Sequence, residues 1–236
     1  AAMGAVLAPV CPVIHTEDGF GPDEAGGLKA RRVWTRRAVL RSVYRMAVPS
    51  RTLERIALEK YWLPRERVVF IPNAVDTERF RPGRDGAMRA ELGLGEGEFV
   101  VGTVGRLRAE KDLPALVKRF KVAGIARARL VVVGDGPERG AIEAAVREAG
   151  IEGACVFAGE QKATERYFRA FDVFAMSSIT EQMPVGLLEA MSSGLAAVCT
   201  AAGDTAEILK GAPERQVFEM GDAEGYVAAL RRMAAE

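Results

Sequence analysis

Histidine and cysteine are scarce in this chain of 236 residues, with one of the first and three of the second. Cys11, Cys155 and Cys199 lie far apart, form no C-x-x-C pair and stand at no zinc-binding spacing from His15. No metal site is therefore expected. Three separated cysteines read as free thiols in a reducing compartment. A surplus of one charge sign is also lacking: 33 Lys and Arg meet 32 Asp and Glu, for a net charge of +1. That balance excludes a dedicated nucleic-acid coat, which carries a strong basic excess. No apolar run approaches the roughly 18 residues of a spanning helix. The N-terminal AAMGAVLAPVCPVIH has neither the charged start nor the cleavage pattern of a signal peptide. There is no internal repeat and no low-complexity tract. A cytoplasmic globular protein without a nucleic-acid partner is the expectation.

What is present is a normal globular composition, 49% hydrophobic and 28% charged. The first residues run directly into the apolar stretch 5–14, and the last lie inside the helical pattern AEGYVAALRRMAAE. The chain reads as a fragment of a longer protein, cut at both ends. From residue 99 short β-branched runs alternate with amphipathic stretches. Strands are expected at 99–104, 129–134, 154–159, 173–177, 196–200 and 216–218. Helices are expected between them at about 113–123, 138–149, 163–171, 184–193 and 223–235. This alternation argues for a doubly wound parallel sheet with helices on both faces. Ligands of such sheets bind beyond the carboxyl ends of the strands.

The first 70 residues read as half of another α/β unit: a strand at 6–14, a Gly-rich loop, a basic helix at 29–47, a second helix at 51–60 and a strand at 67–71. The expected organisation is a partial N-terminal domain over 1–76 and a nucleotide-binding domain over 77–236. The Pro-, Gly- and charge-rich segment of about 72–98 is expected to link them and to carry one short helix.

Three motifs follow strands. In GTVGRLRAEKD (102–112), Gly105 permits a tight turn, and Arg106 and Lys111 could hold a phosphate or be ordinary surface cations. VVVGDGPERG (131–140) resembles a dinucleotide fingerprint, but its third Gly comes one residue late. It reads better as a strand-to-helix turn with Pro137 in the first helical turn. In SSITEQMPVGLLEAMSSG (177–194), Glu181 precedes a helix opened by Pro184, and Glu189 lies about two turns down it. A helix N-terminus is an anion site, and carboxylates accept hydrogen bonds from sugar hydroxyls. A solvated Glu189 and a Glu181 that merely complements the helix dipole are the plain alternatives.

GTVGRLRAEKD, GDGPE, FAG, FDVFAMSS and TEQMPVGLLEAMSSGLAAVCT, in this order, resemble the donor-binding domain of retaining, nucleotide-sugar-dependent glycosyltransferases of family 4. Residues 99–210 carry the likeness best. IPNAVDTERFRP resembles that family's interdomain segment, with Ala74 where Gly is usual. The resemblance implies a GT-B fold, a Rossmann-like donor domain and a nucleoside-diphosphate sugar as donor substrate rather than a resident cofactor. It assigns Arg106 and Lys111, next to Gly105, to the donor diphosphate and Glu189 to the ribose hydroxyls. Glu181 is assigned to hydroxyls of the transferred sugar. The amides around Gln182, Met183, Val185 and Gly186 would face the sugar and distal phosphate. The loop Gly159, Glu160 and Gln161 would border the base. The family commonly has Glu-Gly-Phe-Gly where this chain has Glu181-Gln182-Met183-Pro184, so one amide donor is missing at Pro184.

In the family, a His at the end of the first-domain strand faces the donor sugar, which would make His15 a catalytic residue. A partly buried structural His is the alternative. Loss of a nucleoside diphosphate leaves an oxocarbenium-like sugar and a negatively charged phosphate, so positive charge from Arg106, Lys111 and the helix near Pro184 is implied as the catalytic device. The chain has no D-x-D pair, and a bridging metal is not implied. The basic helix places Arg37, Arg41 and Arg45 in one row near Trp34. That face could be solvated, or could rest on anionic lipid at the inner face of a membrane, as suits a lipid-linked or glycan acceptor. Two rivals are a nicotinamide-dependent oxidoreductase and a truncated nucleotide-binding module without turnover.

Overall fold

The computed structural model describes residues 12–17, 19, 28–212 and 216–235. They form two compact units. One holds the described residues up to Asn73 together with Thr180–Met183 and Ala202–Asp204; the other holds Ala74–Ile179, Pro184–Ala201 and the described residues from Thr205 on.

In the first unit a parallel sheet has the order β1 (Ile14–Thr16), β2 (Arg45–Val48), β3 (Val68–Phe70). Helix α1 (Ala30–Leu40) connects β1 to β2, and α2 (Arg51–Glu59) connects β2 to β3. Leu40, Val43, Met46, Leu53 and Tyr61 form its core. The start of α2 is heavily capped. Ser50 Oγ accepts from the Leu53 amide at 3.0 Å, and the Asp204 carboxylate accepts from the Arg51 and Thr52 amides at 2.5 and 2.9 Å. Those are donors an α-helix cannot satisfy internally.

Two expectations change here. The basic helix does not run to residue 47; it stops at Leu40 because Val43 and Met46, 1% and 0% exposed, belong to the core, and Arg45–Val48 pairs on both sides as the central strand. Two ladders of hydrogen bonds and full burial outweigh helical propensity in that stretch. Arg37, Arg41 and Arg45 therefore form no helical row, since Arg41 is the C-cap of α1 and Arg45 opens β2. The expected strand at 6–14 falls mostly on residues outside those described. His15 stands in the middle of β1, paired with Met46, rather than beyond a strand end. Cys11 also lies outside the described residues.

The second unit is a six-stranded parallel sheet. After a short helix α3 (Gly86–Glu91) come β4 (Phe99–Val104), α4 (Leu113–Ala123), β5 (Ala128–Val133), α5 (Arg139–Ala149) and β6 (Cys155–Gly159). The chain continues through α6 (Thr164–Phe168), β7 (Val173–Met176), α7 (Val185–Ser192), β8 (Ala196–Thr200), α8 (Thr205–Ile208), β9 (Val217–Phe218) and α9 (Ala223–Met233). Leu130 and Val132 face one apolar cluster with α4, α5 and α9, while Val131 and Val133 face another with Phe168 and Leu187. Strands buried on both faces explain the near-continuous apolar runs. The sheet order is β6-β5-β4-β7-β8-β9. The chain builds outward from β4 and then returns to its other side, so the order reverses between β4 and β7, where such sheets bind ligands.

The segment of Pro, Gly and charged residues after Asn73 packs into this second unit. Phe80, Met88 and Leu94 enter its core, and Asp85 caps α3 by accepting from the Met88 amide at 2.8 Å. Arg89, almost fully buried, donates to the carbonyls of Ala170 and Glu98 and pairs with Asp172. Among the described residues no helix is long and apolar enough to cross a membrane.

Candidate functional site

The loops that leave β4, β5 and β6 are laced together by backbone bonds. The Gly105 amide donates to the Val133 carbonyl (3.0 Å), Leu107 to Asp135 (3.0 Å), and Gly134 to Gly159 (2.8 Å). Gly134 has φ +132°, and a β-carbon there would overlap the Gly105 carbonyl oxygen. A β-carbon on Gly136 would overlap the carbonyl of Leu107. Only glycine lets these backbones approach so closely.

Beyond the laced loops lies a cavity of about 340 Å³. Gly105 and Arg106 line it from β4, Gly134, Asp135 and Gly136 from β5, and Glu160, Gln161 and Thr164 from the segment after β6. Gln161 Nε2 donates to the Ala158 carbonyl at 2.6 Å, and Asp135 accepts from the Gly136 amide at 2.7 Å.

The turn carrying Lys111 is anchored to the end of β7. Ser177 Oγ lies 2.8 and 2.9 Å from the carbonyls of Lys111 and Asp112, and the Ile179 amide donates to the Glu110 carbonyl at 2.8 Å. Helix α7 begins beside it in the sheet. Pro184 is its N-cap and accepts from the Leu187 and Leu188 amides at 3.1 and 3.3 Å. The amides of Val185 and Gly186, in the first turn, have no acceptor within the helix. A β-carbon on Gly186 would lie 3.3 Å from the Val104 carbonyl. The positive end of α7 and the Arg106 loop thus share the carboxyl end of β4, a pairing suited to an anion.

Glu189 stands one turn further along α7, half-buried. Burial is the main cause that pushes its carboxyl above the usual range; nearby Arg79 pulls it down and Glu165 pushes it up. Arg79 is itself paired with Glu165 at 2.7 Å.

The sequence candidates divide between the units. Gly105, Arg106, Glu160 and Gln161 line one cavity, with Gly159 hydrogen-bonded behind it, and Lys111, Val185, Gly186 and Glu189 belong to the same unit. Glu181, Gln182 and Met183 belong to the first unit. There the Gln182 carbonyl accepts from the Asp204 amide (2.9 Å), its side chain accepts from Ser50 Oγ (3.1 Å), and the Met183 carbonyl accepts from Asn73 Nδ2 (2.9 Å). His15 Nε2 lies 3.5 Å from the Glu17 carboxylate, which Arg36 approaches at 3.3 Å. Sequence reasoning passed over Gly134, Asp135, Gly136 and Thr164 as cavity residues. The available signal was a Gly-x-Gly directly after the strand that pairs with β4. Pro137 also differs from expectation, because it precedes Glu138, the N-cap of α5, and so lies outside the helix.

Residues 85–236 match the family model described as Glycosyl transferases group 1, and residues 1–79 match Glycosyltransferase Family 4. The chain belongs to the glycosyl transferases group 1 family. EpsF of Bacillus subtilis (strain 168) is 37% identical over 138 residues, covering 56% of this chain and 36% of the relative. The UDP-Gal:alpha-D-GlcNAc-diphosphoundecaprenol alpha-1,3-galactosyltransferase of Escherichia coli is 25% identical over 240 residues, covering 98% of this chain and 62% of the relative. The chain thus spans between about a third and two thirds of the length of these family members. Its fold is GT-B. The Anabaena protein Alr3699/HepE in complex with UDP superposes with a TM-score of 0.82 at 19% identity, over 98% of this chain and 64% of the other. Sucrose-phosphate synthase from Thermosynechococcus elongatus gives a TM-score of 0.83 at 23% identity, over 99% and 61%.

Proposed function

We propose that this chain carries the donor site of a cytoplasmic glycosyltransferase that moves a sugar from a nucleoside-diphosphate sugar to a glycan or lipid-linked acceptor. The observation that carries this reading is the placement of Arg106 and the start of α7 together at the carboxyl end of β4, beside the cavity. A diphosphate needs such preorganised positive charge. The cavity walls at Glu160 and Gln161 then take the base, and Glu189 takes the ribose. The E. coli relative acts on a diphosphoundecaprenol-linked sugar by its name, and the Anabaena structure holds UDP, which support the acceptor and donor classes.

In the proposed reaction the bond between the anomeric carbon and the diphosphate oxygen breaks first. Arg106, Lys111 and the amides of Val185 and Gly186 hold the charge that collects on the departing phosphate. An acceptor hydroxyl attacks from the same face, its proton passes to that phosphate, and the configuration is retained. No metal is proposed, because the chain has no D-x-D pair to hold one on the diphosphate. The family resemblance assigns Glu181 to the transferred sugar; His15, inside β1 and beside Glu17, is given no role.

A nicotinamide site would need the Gly134-x-Gly136 turn to receive a pyrophosphate. Both glycines instead close against the carbonyls of Gly105 and Leu107. A nucleotide-binding module without turnover is the second reading, because the cavity, Arg106 and the start of α7 bear on binding alone. A thermal-shift panel of UDP, GDP, ADP, their sugars and NAD tests the class. Ligand at 100 times its dissociation constant stabilises by about 2.7 kcal/mol. A shift with one nucleoside diphosphate and none with NAD is expected, and a shift with NAD alone overturns the proposal. Release of nucleoside diphosphate from the stabilising sugar nucleotide, on adding a lipid-linked acceptor, separates enzyme from module.

A further inference from the structure

Arg79 belongs to the segment after Asn73, whose composition marks a connector, yet its side chain is built into the second unit. Asp76 shapes the turn beneath it. The Asp76 carboxylate accepts from the Glu78 and Arg79 amides, each at 3.1 Å, and its carbonyl accepts from the Phe80 amide at 2.8 Å. Phe80 packs in the cluster that holds Leu187 and Ala190 of α7, and Ser192 Oγ donates to the Phe80 carbonyl. The turn is therefore fastened to the helix that carries Glu189. From this turn the Arg79 guanidinium reaches α6 and the segment before it. Nε and Nη2 lie 2.9 and 2.7 Å from the Glu165 carboxylate, and Nη2 donates to the Lys162 carbonyl at 2.7 Å. Lys162 follows Gln161, which with Glu160 lines the cavity.

We propose that Arg79 is a positioning residue of the donor site, tying the Glu160–Gln161 wall to α6 and setting the charge around Glu189. This role rests on the donor-site reading given above. Burial works against the charged form of Glu189, Arg79 favours that form and Glu165 opposes it. The strands under α7, β7 and β8, carry no charged residue and one thiol, Cys199. An ionised carboxyl accepts hydrogen bonds from ribose hydroxyls with both oxygens, whereas a protonated one turns an oxygen into a donor. Arg79 thus acts on the nucleotide through two other groups, the wall and the carboxylate.

Breaking the Arg79–Glu165 pair from either side removes the same support but changes the charge near Glu189 in opposite directions. Calorimetry of the chain with UDP, GDP and ADP, from neutral pH into acid, separates the two effects. With the nucleotide that binds the parent, Arg79→Gln should weaken affinity by about two- to fivefold in acid, and the deficit should grow as pH falls. Glu165→Gln keeps an oxygen that can accept from Arg79 and should tighten affinity, again more in acid. In a Glu189→Gln background neither substitution should retain a pH-dependent effect. Glu165→Gln carries the test alone if Arg79→Gln does not fold, since a lost support predicts weaker binding and a lost opposing charge predicts tighter. Unchanged affinity in Glu189→Gln, or a parent that binds none of the three nucleotides, overturns the donor-site reading and this role with it. Weaker binding in Glu189→Gln, beside Arg79→Gln and Glu165→Gln that act alike or not at all, overturns the role of Arg79 alone. So does a pH-dependent effect that survives in the Glu189→Gln background, where the charge would act on the ligand itself.

Discussion

Gly134 and Gly105 approach so closely that the Gly105 carbonyl oxygen occupies the place of a β-carbon on Gly134. This contact joins the ends of β4 and β5 and sets the floor of the cavity. Gly134→Ala adds both a clash with backbone and a disfavoured φ, and should destabilise the second unit by about 2–4 kcal/mol. Gly153→Ala, where the added carbon meets nothing within 4 Å, is the control and should be nearly neutral. Urea unfolding of the two variants checks this; equal stability would mean the loops can separate cheaply.

Arg106 lines the cavity, while Lys111 reaches the same end of the sheet on a turn held by Ser177. Arg106→Ala and Lys111→Ala should each weaken nucleoside-diphosphate binding by about 1.5–3 kcal/mol, the cost of a lost charged hydrogen bond. Calorimetry that finds unchanged affinity in both would remove them from the site.

Glu189 combines a cost in stability with a proposed gain in binding. Its carboxyl is pushed up chiefly by burial, with Glu165 and Arg79 as the charged groups near it. A raised folded-state value favours the neutral form. The corresponding stability is full below the unfolded value and is lost as pH rises through the folded one. At neutral pH the buried charge is therefore a burden. Glu189→Gln should raise the melting temperature of the ligand-free protein and weaken nucleotide and sugar nucleotide alike, a loss of uniform binding. Glu181→Gln should spare free nucleotide and reduce turnover of the complete enzyme. The reverse pattern would exchange the two roles.

Asp85 shows the opposite sign. The Met88 amide, and after it Arg166, hold its carboxyl below the ordinary value. Its stabilisation is present above the unfolded value and is lost as pH falls through the folded one. Asp85→Ala should cost about 1 kcal/mol at neutral pH, as helix caps do, and the difference from the parent should shrink in acid. A deficit that does not change with pH would mean that the charge plays no part.

Much of this was legible in the sequence because the second unit obeys short-range rules. FVVGTV and AAVCT became β4 and β8 within the expected limits, since strands buried on both faces announce themselves as unbroken apolar runs. Val43–Met46 misled because helix and buried strand share the same apolar letters, and only the pairing of β2 on both sides decides between them. The segment after Asn73 read as a connector from its Pro, Gly and charge, yet Phe80, Met88 and Leu94 anchor it to the core. Arg106 was visible as a cation after a strand. Gly134 and Gly136 were not, because their role depends on β5 lying beside β4, a fact of topology rather than spacing. Arg79 reaches Glu165 across 86 residues of sequence, and that pairing was likewise hidden.

The cavity beyond β4, β5 and β6 is proposed to receive a nucleotide whose diphosphate meets Arg106 and the start of α7. Electron density for the chain crystallised with the nucleoside diphosphate that stabilises it tests this most directly. Phosphate oxygens are expected within hydrogen-bond distance of the Arg106 guanidinium and of the Val185 or Gly186 amide, with the base against Glu160 and Gln161. A diphosphate bound away from Arg106 and α7, or a base on another face of the sheet, would contradict it.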